Sequence, residues 1–327
     1  MRKVALLLGG LLIGCALVGG AQDAMDLDTA LGYFQNEAVM IEYSEAGRAV
    51  LEEIIEVFRA ELGVTDALNE LDEDDVMAFT VAMEDQLVVN RLSQAYYTLA
   101  NAFLGGQAPD EEQTYLKGKH WGLFSLRMDA TFLAIETGDV AEGAPKGFVA
   151  AVEQSTNLDG LYWGAANWLR HGEFNVMAAV VAGIPQKTDA MSKRCLELDD
   201  SHVSYGSYRA LGAFWVGLPR MPIGEYRKNF NRSLGYFCRI VDEPTLCEEC
   251  NDCPDFGGFA ADAELYFENR MLFAKYYLVE KGYWEDIKRI CEEVLAEPIG
   301  DLYPLYNAIS HETAQALLDE ANEKLGD

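Results

Sequence analysis

The sequence is short of positive charge. Against 54 Asp and Glu it carries 25 Lys and Arg, for a formal net charge of −29. Such a surface repels phosphate backbones, so nucleic acid is excluded as a partner. Histidine is scarce as well. The four, His120, His171, His202 and His311, stand far apart and form neither an H-E-x-x-H motif nor an i, i+4 pair for a metal. No G-x-S-x-G elbow or phosphate-cradling G-x-x-x-x-G-K-[ST] loop is found, so the chain is read as a non-enzyme with no catalytic residue and no cofactor. Asp72-Glu73-Asp74-Asp75 lacks the spaced ligands and glycine of a calcium loop and reads as a solvated acidic turn that opens a helix. Alternating β-branched runs closed by Asn-Gly or Asp-Gly are missing, so no hairpin is expected. Beyond the first twenty residues no apolar run approaches the roughly 18 residues of a membrane helix.

Hydrophobic side chains are plentiful, at 50%, with 11% aromatic. That is too rich for a disordered acidic chain and enough for a sizeable core. Met1-Arg2-Lys3 is followed by an apolar run and then Leu12-Ile13-Gly14-Cys15. Basic start, apolar middle and small residues make a secretory leader. The last four residues fit a bacterial lipobox, which makes 1–14 the signal peptide, Cys15 the lipid anchor and 15–40 a tether and leader. Ordinary cleavage after Gly19-Gly20-Ala21 is the competing reading. Either way the mature protein is expected to be exported and periplasmic, touching membrane only through an N-terminal lipid.

From 41 to 327 the reading is a single all-α domain. Leu51, Ile54, Ile55, Phe58 and Leu62 recur on one helical face, with Ser44 to start it and Gly63 to stop it. Glu52, Glu53 and Glu56 fall on the opposite face. Further helices are expected at 85–104, 110–136, 145–154, 159–182, 185–198, 201–218, 224–242, 259–281, 283–295 and 304–325. Asp110 to Gln113 supplies a helix start, and Pro145 and Pro185 suit first-turn positions. Short connections imply antiparallel neighbours.

Such pairs raise the question of repeats. Tyr208, Leu211, Gly212 and Trp215 match the opening of the tetratricopeptide signature, where the small residue marks a close helix contact. Tyr96, Leu99, Ala100 and Phe103 match it with Ala for Gly. Weaker remnants sit at Gly118/Trp121, Ala165/Trp168 and Ala263/Tyr266. The expected architecture is a tetratricopeptide-like antiparallel helix-pair solenoid or bundle, with a Cys-rich loop inserted at 243–258; an irregular helical bundle is the alternative.

Over about half its length the chain resembles the T-component of tripartite ATP-independent periplasmic (TRAP) transporters, the TatT family. The resemblance rests on 161–168 (Leu161-Tyr162-Trp163-Gly164-Ala165-Ala166-Asn167-Trp168), Cys195-Leu196-Glu197-Leu198-Asp199, Tyr208-Arg209-Ala210-Leu211-Gly212, Leu218-Pro219, and Gly224-Glu225-Tyr226 leading to Phe230. Tyr306-Asn307-Ala308 with Ala314 and Leu317-Leu318 is similar to the family's last helix. The resemblance implies an exported lipoprotein that docks a periplasmic solute-binding protein, forms oligomers, and binds or passes a hydrophobic organic acid or lipid-like ligand.

Stacked helix pairs leave a concave face, and the concentrated aromatics there, Tyr162, Trp163, Trp168, Phe214 and Trp215, are the groove candidates. Aromatics at helical spacing are as a rule core. Tyr162, Trp163 and Trp168 are nonetheless spread around their helix, about 100° separating consecutive residues, so part of the cluster is expected to face away from the core.

Setting Cys15 aside leaves six cysteines. Cys238, Cys247, Cys250 and Cys253 gather around a C-x2-C-x2-C run between Pro244 and Gly257-Gly258. Export puts them in an oxidising compartment, where disulfides are the default. A thiolate metal site is the open alternative, and with it a second reading of the chain as an exported metal- or redox-active helical protein. Cys195 and Cys291 lie inside helix patterns, where a cysteine serves as a small hydrophobe.

Overall fold

The computed structural model describes residues 24–220, 225–248, 250, 253, 254 and 256–326. The leader and Cys15 lie outside them. The described chain is all-α, apart from one tiny hairpin, and is built from antiparallel helix pairs.

It opens with α1 (Leu27–Gly32), capped by Asp26, and then β1 (Phe34–Gln35) and β2 (Ala38–Val39), an antiparallel pair with Phe34 opposite Val39. No hairpin was expected. Its strands are too short to show alternation, and its tip is Asn36-Glu37 in place of Asn-Gly. Both tip residues have positive φ, 48° and 62°, as a two-residue turn that matches strand twist requires. Helix α2 (Glu45–Glu61) follows, with Ser44 accepting from the Gly47 amide at 3.1 Å as the N-cap. Leu51, Ile54, Ile55 and Phe58 are buried and Glu52, Glu53 and Glu56 are exposed.

A 3-10 turn, Ala67–Leu71, precedes α3 (Glu73–Met77), which Asp72 caps. Glu73 is not the solvated acid expected: it is ion-paired with Lys119 at 2.7 Å and Arg127 at 2.8 Å. Burial opposes its charge, but those two cations overrule it and hold the carboxyl down at about 2.

Next come α4 (Gln86–Phe103), α5 (Asp110–Arg127), α6 (Ala130–Thr137), α7 (Phe148–Gln154), α8 (Leu158–Phe174), α9 (Val176–Val181), α10 (Ile184–Leu198) and α11 (His202–Gly217). Two long helices of the sequence reading are thus divided. Between α5 and α6 Asp129 accepts from the Thr131 amide, and between α8 and α9 Asn175 accepts from the Ala178 amide. Each short polar side chain offers the backbone a fresh N-cap in place of a continuing turn. Helix α5 begins at Asp110 without a side-chain cap, and α7 begins after Gly147, so Pro145 precedes it and is no first-turn residue. Pro185 does occupy the first turn of α10.

The expected helix 224–242 is reduced to α12 (Phe230–Phe237), followed by α13 (Pro244–Glu248). The expected 259–281 becomes a 3-10 turn (Ala261–Leu265), α14 (Glu268–Leu272), a π turn (Phe273–Leu278) and α15 (Val279–Lys281). Helices α16 (Trp284–Ala296) and α17 (Pro304–Leu325) close the chain.

The core runs through three large clusters taken in chain order: one centred on α2 and α4, one on α8 and α10, one from α11 to α17. That succession is what a stack of helix pairs produces. The stack closes on itself, because Leu305 of α17 joins the first cluster and the Tyr306 hydroxyl lies 2.8 Å from that of Thr98 on α4.

Closest approach occurs where α5 crosses α8. A methyl added to Gly122 would sit 2.5 Å from the Cα of Gly164, a backbone atom with no room to retreat. Gly122→Ala is therefore expected to push the helices apart and lower stability by about 1–3 kcal/mol, read as a lower melting temperature. An unchanged melt would mean that this crossing is looser than described.

Candidate functional site

The stripe Gly206, Ala210, Ala213 and Gly217 recurs along one face of α11 at offsets 4, 7 and 11. With no bulk on that face, α11 cannot fill the space between itself and α8. A cavity of about 310 Å³ results, walled by α4, α8, α9, α11 and the π turn. Its size lies at the low end of small-molecule sites. The lining is mainly apolar, with Leu169, Val180, Phe214 and Leu272 among its members. Helix α9 folds back over the end of α8, where Gly172 leaves room for Ala179.

Charged groups stand in this apolar wall. Arg209, on α11, is buried; it donates to the Tyr162 hydroxyl at 3.1 Å and to Asn269 at 2.7 Å, and pairs with Glu268 at 3.2 Å. Arg170, on α8, donates to Glu173 at 2.6 Å, to the Tyr276 hydroxyl at 3.3 Å and to the Tyr115 hydroxyl at 3.3 Å. Burial pushes the Tyr162 and Tyr276 phenols up to about 12, so both stay protonated and neutral. Lys275 lines the cavity from the π turn but is itself exposed, which places it at the mouth. Burial of its amine and the neighbouring Arg170 guanidinium push its pKa down from the ordinary lysine value.

Of the five aromatic candidates, the structure puts Tyr162 and Phe214 on the cavity wall and the three tryptophans in the core. Trp163 packs between the rings of Tyr97 and Tyr162. Trp168 meets Phe148 edge-on beneath Lys187. Trp215 stacks on Tyr226 under Arg232. The sequence reading missed Tyr97, Asn101, Arg170, Arg209, Lys275 and Tyr276. The small-residue stripe of α11 was visible in the sequence and was the available signal.

The cysteine loop is covalently closed: Cys238 is bonded to Cys247 and Cys250 to Cys253. The loop is also packed down. Phe256 stacks on Tyr236 at 4.4 Å, and Pro254 lies against Gly235. With four sulfurs spent in two disulfides, none remains a thiolate for a metal. Among the described residues no group of three or more His, Cys, Asp or Glu is placed to hold an ion. Cys195 and Cys291 are buried free cysteines whose thiols burial pushes up to about 12. At that value they are unreactive at neutral pH. No helix among the described residues is long and apolar enough to cross a membrane.

No protein-family model matches the chain, and no curated protein matches it.

Proposed function

We propose that the protein is an exported accessory of the TRAP T-component kind, which docks a periplasmic solute-binding protein and holds or passes a hydrophobic organic acid or lipid-like ligand in the cavity between α8 and α11. The observation that carries this is the cavity itself: an unfilled apolar space kept open by a stripe of small residues, with a few polar groups in its wall. The exposed apolar side chains beside it support a docking role. Met177 is 67% exposed and Val181 85% exposed, on the helix that covers the cavity. Clustered apolar side chains in water mark contact surfaces. The partner class comes from the family resemblance.

Native mass spectrometry of the full chain, purified without detergent, tests the ligand. An apolar molecule should accompany the wild-type protein and be lost from Ala210→Trp, whose ring fills the cavity. Affinity capture from the envelope with the same two proteins tests the partner. Recovery of neither an apolar ligand nor a solute-binding protein would leave a helical scaffold with no transport role.

A redox role is the second reading, and the closed C-x2-C pair Cys250–Cys253 is the observation in its favour. A reduction potential near that of exchange enzymes, about −120 to −270 mV, would support it; one below about −300 mV would mark a structural bond.

A further inference from the structure

The polar groups around the cavity fall into two sets. Arg209, Glu268 and Tyr162 satisfy one another, as do Arg170, Glu173 and Tyr276. Lys275, Tyr97 and Asn101 remain. The Lys275 ammonium has no carboxylate within 4.0 Å among the described residues, and its recorded neighbour is the Tyr276 ring at 5.7 Å. Tyr97 makes ring contacts with Tyr115 and Trp163, and its hydroxyl has no protein partner there. The Asn101 amide is likewise unmatched, one turn along α4 from Tyr97. None of the three is fully buried, so a cation, a hydroxyl and an amide without a protein partner stand open at the cavity to a polar guest.

We propose that the cavity takes an apolar monocarboxylate, its tail along the small-residue face of α11 and its carboxylate on Lys275, with Tyr97 and Asn101 completing the head site. This rests on the cavity being the ligand site. The charge of the guest follows from the wall: Arg170, Arg209 and Lys275 outnumber Glu173 and Glu268 by one, an excess of positive charge inside a chain of net charge −29. One carboxylate balances it. A second would face Glu173, Glu268 and the field of the whole protein.

Backbone geometry supplies an independent sign. Lys275 and Tyr276 line the cavity from a π turn. Such turns are uncommon and concentrate at functional sites. The depressed lysine has the same sense, since a bound carboxylate would relieve what burial and Arg170 impose on it. As for size, 310 Å³ is about ten water volumes of ~30 Å³, and a methylene is about as large as a water. A chain of about ten carbons fills it.

Isothermal titration of the full chain at pH 7 with decanoate, decanol and decanedioate tests this. Decanoate should bind at least about tenfold more tightly than either of the others, as a charge-assisted contact provides. Lys275→Met should remove that preference by weakening decanoate; its melt should match wild type, because the side chain has no ion pair to lose. Lys275→Gln serves should the first variant misfold. Equal affinity for decanoate and decanol, or a preference that survives loss of Lys275, overturns the head site and leaves the cavity reading standing. Equal binding of decanedioate overturns the single charge. Binding of none of the three overturns both the head site and the cavity as a ligand site.

Discussion

Replacing Glu70 by alanine is expected to destabilise the protein by about 3–5 kcal/mol, more than any single change at the cavity. Its carboxylate lies on the 3-10 turn before α3 and is fully buried. One oxygen accepts from the Tyr96 hydroxyl and from the Trp121 indole, each at 2.7 Å. The other stands 3.0 Å from Nε of Arg59, whose side chain is almost as deeply buried. Alanine would strand a desolvated guanidinium, a phenol and an indole together. A phenol is the right donor for this site, because burial and then Glu70 itself push the Tyr96 pKa well above its ordinary value and keep the proton on oxygen. The single-donor variants Tyr96→Phe and Trp121→Phe remove one hydrogen bond each and should cost about 1 kcal/mol apiece. Urea denaturation separates the outcomes. A loss below about 1 kcal/mol for Glu70→Ala would mean that water reaches this carboxylate.

Glu70 also shows where reading from residues stops. Its neighbours 45–61 and 86–103 were legible because apolar residues repeat at helical spacing, and Ser44 and Gly63 bound the first of them. Nothing local marks Glu70 as different from the other acids; its partners come from 26 and 51 residues away. Asp129 and Asn175 were visible but ambiguous, since a capping residue inside an apolar run looks like a polar position on a continuous helix. The left-handed stretch Val203, Ser204 and Tyr205, with φ of 50°, 49° and 62°, was illegible. None of those residue types favours positive φ, so the conformation is imposed by contacts that arise only on folding. The cavity was half legible. Tyr162 and Phe214 came from a search for aromatics, but the groups that give the wall its charge, Arg170 and Lys275, look in sequence like any exposed basic residue on a helix.

Raising the pH through about 9 should remove up to about 3 kcal/mol of stability, through His202. This side chain is buried at the start of α11, its Nδ1 2.7 Å from a Glu37 oxygen and its Nε2 3.3 Å from Asp159. Burial opposes the imidazolium, but Asp159 and Glu37 overrule it and lift the pKa from 6.5 to about 9. A value raised on folding means that the folded state holds its proton more tightly. The stabilisation is therefore complete below about pH 6.5 and disappears as pH climbs past 9. Asp159 is itself held below the ordinary range: burial raises it, but His202 and Arg91 overrule that. Neutralising His202 thus leaves two carboxylates facing a buried ring. The consequence reaches the cavity, because Glu37 also accepts the amide of Val203 and so clamps the left-handed turn. Such residues cost roughly 1–2 kcal/mol each. The carbonyl groups of Val203 and Ser204 in that turn accept from Arg209, the buried cation of the cavity wall. Urea melts of the wild-type protein and of His202→Gln at pH 6 and pH 10 provide the measurement. Both should lose stability between them, and the wild type should lose up to about 3 kcal/mol more than the variant, which is already weakened at pH 6. Cys195 and Cys291, lifted to about 12 from an ordinary value near 9, remove stability in the same window but equally in both proteins, so the excess loss of the wild type is what reports His202. Glu73, held at about 2, titrates far below it. Equal losses in the two proteins would move the effect off His202 and release the left-handed turn from its proposed clamp.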